Sequence, residues 1–180
     1  KGVCFDTGGL NIKSGTSMGN MKKDMAGAAS VLGLAACIVS LNLEVSLKVL
    51  IPIVENSISS QAFRPGDVLL SRKGLTVEVN NTDAEGRLIL ADALYYADEG
   101  KPDLLVCMAT LTGAARVALG QDIVPFYSND DSFSATLISC SQANCDPVWR
   151  LPFYSEYEDM IASNVADLDN APKSGMAGSI

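Results

Sequence analysis

Seven charged side chains stand where alternating strands and helices would gather reactive groups. They follow predicted strands or lie near predicted helix starts: Lys1, Asp6, Lys13, Asp24, Asp83, Glu85 and Arg87. Asp6 directly follows the apolar residues 3–5, and Asp83 comes soon after the apolar strand that ends at Val79. Because sites in open parallel sheets form at the carboxyl ends of the strands, both aspartates lie where a site is expected.

The chemistry that these groups favour is metal-dependent hydrolysis. Asp83 and Glu85 are two positions apart, so they would diverge on a helix but can converge in a loop or first turn. Clustered carboxylates repel one another and are costly to desolvate, and two divalent cations would neutralise them. Oxygen ligands suit Mn²⁺ and Mg²⁺, and Zn²⁺ also accepts carboxylates. A two-metal site of this kind activates water without a histidine.

Spacing alone leaves plainer interpretations open. An aspartate at a strand end is usually a helix cap or a solvated loop residue. For Lys1, Lys13 and Arg87, a surface charge or a salt bridge is favoured on the same grounds. Met21, near the start of a predicted helix, is favoured as an ordinary packing residue.

The composition argues against several other classes of protein. The chain has 180 residues, no histidine and a formal charge of −8. Without histidine, neither a Ser-His-Asp nor a Cys-His mechanism can be built from this chain. The acidic balance argues against nucleic acid as a partner. No apolar run reaches the ~18 residues that span a bilayer. An odd count of five cysteines without a pairing pattern favours a reducing compartment.

Apolar segments that alternate with helical patterns predict the fold class. We expect an α/β fold with a mixed, largely parallel sheet flanked by helices on both faces. The strands expected include residues 45–54, 68–70, 75–79 and 103–108, and the helices include residues 21–41 and 84–97. Asp83 or Thr82 is the expected cap of the second of these helices.

The sequence Asn-Thr-Asp-Ala-Glu-Gly-Arg-Leu at residues 81–88 resembles, without a break, the signature of the leucyl aminopeptidase family. Residues 1–13 resemble the first metal-binding segment of that family, residues 21–29 the second, and residues 108–114 its substrate-pocket loop. The resemblance is thinnest between residues 127 and 163. It implies that residues 1–180 are part of a catalytic domain, with the amino-terminal domain and the carboxyl-terminal end of the catalytic domain absent.

The resemblance also implies a role for each matching position. The expected metal ligands are Lys1, Asp6, Asp24, Asp83 and Glu85. Asp6 and Glu85 are expected to bridge the two ions. Lys13 is expected to polarise the scissile carbonyl, and Arg87 to hold a bicarbonate that relays a proton. The expected substrate pocket consists of Met21, Thr110, Leu111 and Gly113.

The function that the resemblance implies is removal of the N-terminal, leucine-like residue from peptides, by water that two divalent metal ions activate. Zn²⁺ or Mn²⁺ is expected, and Mg²⁺ or Co²⁺ would also suit the ligands. Peptides are the expected substrates and a homohexamer is the expected assembly. The expected location is the cytoplasm, without membrane contact. A non-catalytic member of the same family, truncated or regulatory, is the alternative.

Overall fold

Short strands alternate with helices throughout the computed structural model, which describes residues 1–180 and confirms the α/β class. The strands are β1 (Gly2–Asp6), β2 (Ile53–Asn56), β3 (Asp67–Leu70), β4 (Thr76–Val79), β5 (Val124–Phe126), β6 (Val148–Arg150) and β7 (Leu168–Asp169). The helices are α1 (Gly15–Met18), α2 (Ala26–Ser40), α3 (Glu85–Asp98), α4 (Ala114–Leu119) and α5 (Asp131–Ala143). Three 3₁₀ segments cover Met21–Met25, Thr82–Ala84 and Ser155–Ile161.

The chain divides into two compact units, each with its own strands. The first unit consists of Lys1–Leu111 and Ser163–Ala171, and it contains the parallel pair β1–β2 and the three-stranded sheet β3–β4–β7. The second consists of Thr112–Ala162 and Pro172–Ile180, and it contains the parallel pair β5–β6. The strands expected over residues 68–70 and 75–79 are present as β3 and β4, which form an antiparallel hairpin around a turn that ends at Gly74, with a φ of +90°. The other three pairs are parallel, as expected.

Two of the predicted strands are wrong or mostly wrong. Of residues 45–54, only the last two belong to β2, and residues 103–108 form no strand. A strand needs the peptide groups of a neighbour, and only Ile53–Asn56 pairs with β1. Residues 103–108 approach the first residue of the chain, where the main-chain nitrogen of Lys1 donates a hydrogen bond to the Met108 carbonyl at 2.8 Å. One such bond does not make a strand pair.

The predicted helix over residues 21–41 is confirmed as the 3₁₀ segment Met21–Met25 followed by α2. Gly27, in the first turn of α2, lies against the backbone of residues 108 and 109. A β-carbon at position 27 would come within 2.8 Å of the Ala109 Cα atom, so only glycine permits this approach.

The helix that begins at residue 85 is confirmed, but its expected cap is wrong. The Asn81 side chain, not that of Thr82 or Asp83, accepts a hydrogen bond from the main-chain nitrogen of Asp83 at 2.9 Å. Asn81 thereby caps the 3₁₀ turn that leads into α3. Asparagine serves this position because its amide oxygen reaches a free N–H two residues on.

Apolar burial in the first unit is concentrated next to the strands. Val3 in β1 and Val79 in β4 are fully buried, and Ala28 in α2 and Leu90 in α3 are buried as well. The segment Met21–Ser40 is long and apolar enough to cross a membrane by length and composition alone, so the prediction that no segment reaches this length is not confirmed. A single helix of this kind is weak evidence of membrane contact.

Candidate metal centre

Two parallel strands and one turn bring the carboxylates of the first unit together. Asp6 is the last residue of β1 and pairs in register with Asn56, the last residue of β2. The turn Thr82–Ala84 follows β4, and Glu85 opens α3. The carboxyl ends of the strands therefore supply the site, as expected for parallel pairs.

Four carboxylates and two lysines form a single ionic cluster. Lys1 Nζ lies 2.9 Å from Asp24 Oδ2 and 3.1 Å from Glu85 Oε1. Lys13 Nζ lies 2.9 Å from Asp6 Oδ2 and also contacts Asp83 Oδ1. Lys1, Asp6, Asp24 and Glu85 are all buried, and the Asp83 side chain is 31 % exposed. The cluster is therefore largely withdrawn from water and open at Asp83.

Glycines make the space that the cluster needs. Gly86 lies beside the Lys1 side chain, and a β-carbon there would come within 2.6 Å of Lys1 Cε. Gly8, with a φ of +87°, turns the chain so that its N–H donates to Asp6 Oδ1 at 2.9 Å. A side chain at Gly8 would also meet the Asp83 carboxylate. Both glycines are explained by close approach to the charged groups.

The carboxylates of the cluster have different proton affinities. Burial alone would raise the pKa of Asp6, but hydrogen bonds from Lys13, the Gly8 amide and Asn56 outweigh it and lower that pKa. Burial raises the pKa of Asp83 and of Glu85, because the lysine each one faces does not fully offset desolvation and the neighbouring Asp6 charge. Burial lowers the Lys13 pKa, yet its bonds to Asp83 and Asp6 reverse the direction and raise it.

Arg87 lies one helical position beyond Gly86, and its guanidinium is incompletely paired. Its Nε atom is buried and has no hydrogen-bond partner. Burial lowers the pKa of Arg87, and the nearby Glu85 charge opposes that effect only in part. Arginine stays protonated even when its pKa falls, so this group offers a positive charge and an unused donor.

The expected pocket residues are distributed over both units. The Thr110 hydroxyl donates to Asp24 Oδ1 at 2.8 Å, which joins it to the cluster. Met21 is half-buried at the start of the 3₁₀ segment, and Leu111 is exposed. Gly113 belongs to the second unit, where it precedes α4.

The donor set fits divalent cations. Ligand oxygens of Asp6, Asp83 and Glu85 lie within 4.8 Å of one another. Asp83 Oδ1 and Glu85 Oε1 are buried, and each one faces a lysine ammonium. Hard or borderline cations such as Mn²⁺ and Zn²⁺ accept such oxygen ligands.

The sequence pattern of the "Cytosol aminopeptidase family, catalytic domain" matches residues 1–180. The chain belongs to this family. The family predicted from the resemblance of residues 81–88 is thereby confirmed, since leucyl aminopeptidase and cytosol aminopeptidase are two names of one family.

Relatives with this name are close in sequence and structure. The chain is 50% identical over 170 residues to a probable cytosol aminopeptidase of Paraburkholderia phytofirmans, covering 94% of this chain and 34% of that protein. It is 48% identical over 181 residues to one of Chlorobium limicola, covering 100% of this chain and 36% of that protein. A crystal structure of the Coxiella burnetii cytosol aminopeptidase superposes with a TM-score of 0.95 at 51% identity, covering 99% of this chain and 39% of that one. The chain thus spans between a third and two-fifths of these relatives.

Three uncharged residues of the centre escape sequence reasoning. Asn56 donates its amide to the cluster, and Thr82 is fully buried with its hydroxyl bonded to the Gly8 carbonyl. Asn170 Oδ1 accepts from the main-chain nitrogens of Asn80 and Asn81, at 3.0 and 3.1 Å. Asn56 had one signal, its place at the end of an apolar segment like that of Asp6. Asn170 does not differ in the sequence from an ordinary loop residue, and Thr82, within the motif at residues 81–88, was expected only as a helix cap.

Proposed function

We propose that the chain carries the two-metal catalytic centre of an aminopeptidase that removes the N-terminal residue from peptides. The observation that carries the proposal is the largely buried cluster of Asp6, Asp24, Asp83 and Glu85, in which four carboxylates face only two lysines. Membership of the cytosol aminopeptidase family supports the same activity.

The proposed ions are two divalent cations, Zn²⁺ or Mn²⁺, and Mg²⁺ would also suit the ligands. The proposed ligands are Lys1, Asp6, Asp24, Asp83 and Glu85. Bound ions would supply Lewis acidity and an activated water for peptide hydrolysis. Asp6 and Glu85 are the proposed bridging pair, and the short separation of their ligand atoms supports this role. Lys1 is the proposed amine ligand, and its Nζ already lies between Asp24 and Glu85.

Lys13 is proposed to stabilise negative charge on the substrate carbonyl. Its pKa is raised, so it is an ammonium at neutral pH, and its side chain is partly open to solvent. A fixed cation in a partly dry site stabilises a developing oxyanion far better than water does. If the contact between Lys13 and Asp83 breaks, an N–H of Lys13 becomes available to donate to the substrate carbonyl oxygen.

Arg87 is proposed to hold a bicarbonate that relays a proton during hydrolysis. The unused donor on Nε supports an anion at this position. A guanidinium binds planar anions through two parallel hydrogen bonds. A bound bicarbonate would supply the proton acceptor that a chain without histidine lacks.

Leucine-like residues are the proposed substrate side chains, with Met21, Thr110, Leu111 and Gly113 as the pocket. Small and apolar groups at these positions suit an aliphatic side chain. Peptides are the proposed partners, together with assembly into a homohexamer in the cytoplasm. The name "cytosol aminopeptidase" borne by the relatives supports that location.

The test is release of a fluorophore from a leucine amide by this chain after loading with Mn²⁺. Activity is expected to disappear after EDTA treatment and in an Asp83→Ala, Glu85→Ala double variant, because both remove the ions. An Asp131→Ala, Glu156→Ala variant loses two exposed carboxylates of the second unit and is expected to keep the activity. Mn²⁺ binding without hydrolysis would contradict the aminopeptidase proposal for this chain while leaving the metal site intact.

A further inference from the structure

We propose that Asn56 is a positioning residue that aims the two bridging carboxylates at the metal ions, an inference that rests on the proposed function. Asn56 ends β2 opposite Asp6, after a register shift in the β1–β2 pair between Val3 and Asp6. The irregularity therefore sets an amide beside a carboxylate at the point where both strands enter the site.

The Asn56 amide contacts both carboxylates. Its Nδ2 atom has two hydrogens for three acceptors and lies 2.9 Å from Asp6 Oδ1, 3.0 Å from the Thr82 carbonyl oxygen and 3.4 Å from Glu85 Oε2, so the contact with Glu85 shares a hydrogen and is the longest. The residue is 7 % exposed, so water does not compete for these bonds. One neutral group thus joins the end of β1, the turn before α3 and the first residue of α3.

The two oxygens of each carboxylate have different neighbours. Asn56 faces Asp6 Oδ1 and Glu85 Oε2, whereas the lysines face Asp6 Oδ2 and Glu85 Oε1. A hydrogen bond to one oxygen restricts the rotation of a carboxylate, and for Asp6 the Gly8 amide adds a second donor to the same oxygen, which leaves the other oxygen on the side of the lysine. Since the amide carries no charge, it orients the ligands without competing with a cation for them.

The position of Asn56 is itself fixed from two sides. The main-chain carbonyl of Asn56 accepts hydrogen bonds from the Thr7 main-chain nitrogen at 2.9 Å and from the Thr7 hydroxyl at 2.8 Å. Gly9, with a φ of +63°, approaches so closely that a β-carbon there would lie 3.0 Å from Asn56 Oδ1. A locked donor of this kind is what holds metal ligands in a productive geometry.

The experiment measures Mn²⁺ affinity by equilibrium dialysis with metal analysis, at a temperature where every variant is folded. Asn56→Ala and Asn56→Leu both remove the donor, and the leucine, which keeps the branched shape of asparagine, serves if the alanine variant fails to fold. Each is expected to weaken Mn²⁺ binding about 10- to 100-fold, the range typical for lost outer-shell partners. Ser134→Ala is the control, because it removes a buried hydrogen bond in the second unit.

Mn²⁺ affinities of the folded Asn56 variants within threefold of the unsubstituted chain would overturn the positioning role. An equal loss of affinity in Ser134→Ala would also overturn it, since general destabilisation would then explain the result. Failure of the unsubstituted chain to take up Mn²⁺ would overturn the proposed function and this inference together. If the unsubstituted chain and all variants bind Mn²⁺ with the same affinity, only the role of Asn56 is contradicted, and the proposed metal centre is not.

Discussion

Lys1 and Lys13 serve as counter-ions for the four carboxylates of the cluster. Each ammonium lies between two carboxylates, so every member has an opposite charge within contact distance. Removal of one partner from such an arrangement leaves an uncompensated buried charge and is strongly destabilising. Substitution of a single lysine is therefore expected to lower stability as well as activity, and the two effects need separate measurement.

The pKa shifts of Asp83 and Glu85 predict how stability changes with pH. Both pKa values are raised above the ordinary 3.8 and 4.5, so the folded metal-free protein binds more protons than the unfolded chain above those values. Its stability is therefore expected to fall as pH rises through the raised pKa values. Asp6 acts in the opposite sense, but its contribution is lost only as pH falls below 3.8.

Divalent ions are expected to reverse this dependence, because they bind the ionised carboxylates. The rise in melting temperature on adding Mn²⁺ should be larger at about pH 7.5 than at about pH 5. Thermal unfolding with Mn²⁺ and with EDTA across this range checks the prediction. The Asp83→Ala, Glu85→Ala variant serves as the control, and a Mn²⁺ effect independent of pH would contradict the assignment of these carboxylates as ligands.

At the scale of elements, α2 contains two glycines in opposite environments. Gly27→Ala would drive a methyl group into the backbone at Met108 and Ala109, which cannot yield like a side chain. We expect a loss of about 1–3 kcal/mol in the free energy of unfolding, as for other overpacked sites. Gly33 is exposed and has open space around it, so Gly33→Ala is expected to stabilise α2 by about 0.5–1 kcal/mol.

Urea unfolding of the two variants checks this contrast within a single helix. Equal effects of the two substitutions would show that position 27 tolerates a β-carbon and that the approach of α2 to residues 108 and 109 is not a close one.

Elements were predictable from the sequence where their signal is local. The helices that begin near residues 21 and 85, and the strands β3 and β4, follow from the composition of a few neighbouring residues. The strands over 45–54 and 103–108 were not, because pairing depends on a neighbour distant in the chain. The same distinction applies to the centre: charged residues within short motifs were found, whereas Asn56 and Asn170 are recognised only by what they contact.

At the scale of the whole molecule, α2 has an apolar face that nothing in this chain covers. Leu32 is 55 % exposed and Val39, seven positions along the same helix face, is 71 % exposed. Exposed apolar patches of this kind promote association. The chain in solution is expected to bind a hydrophobic dye and to associate at high concentration.

A Leu32→Lys, Val39→Lys double variant is expected to reduce dye binding and association while changing the free energy of unfolding by no more than about 0.5 kcal/mol, as is usual for surface positions. Dye fluorescence and light scattering measure the first effect, and urea unfolding the second. A large loss of stability in this variant would mean that the face packs against something within the chain.

The ligand set of the proposed centre has a mechanical consequence. Lys1 and Asp6 lie at one end of the first unit's sequence, whereas Asp83 and Glu85 come after the long helix α2 and three further strands, β2, β3 and β4. An ion held by both groups closes a long loop and so acts as a reversible cross-link, comparable to a disulfide in what it removes from the unfolded chain. Removal of the ion by a chelator would then lower the free energy of unfolding of the whole first unit, as reduction of a disulfide does.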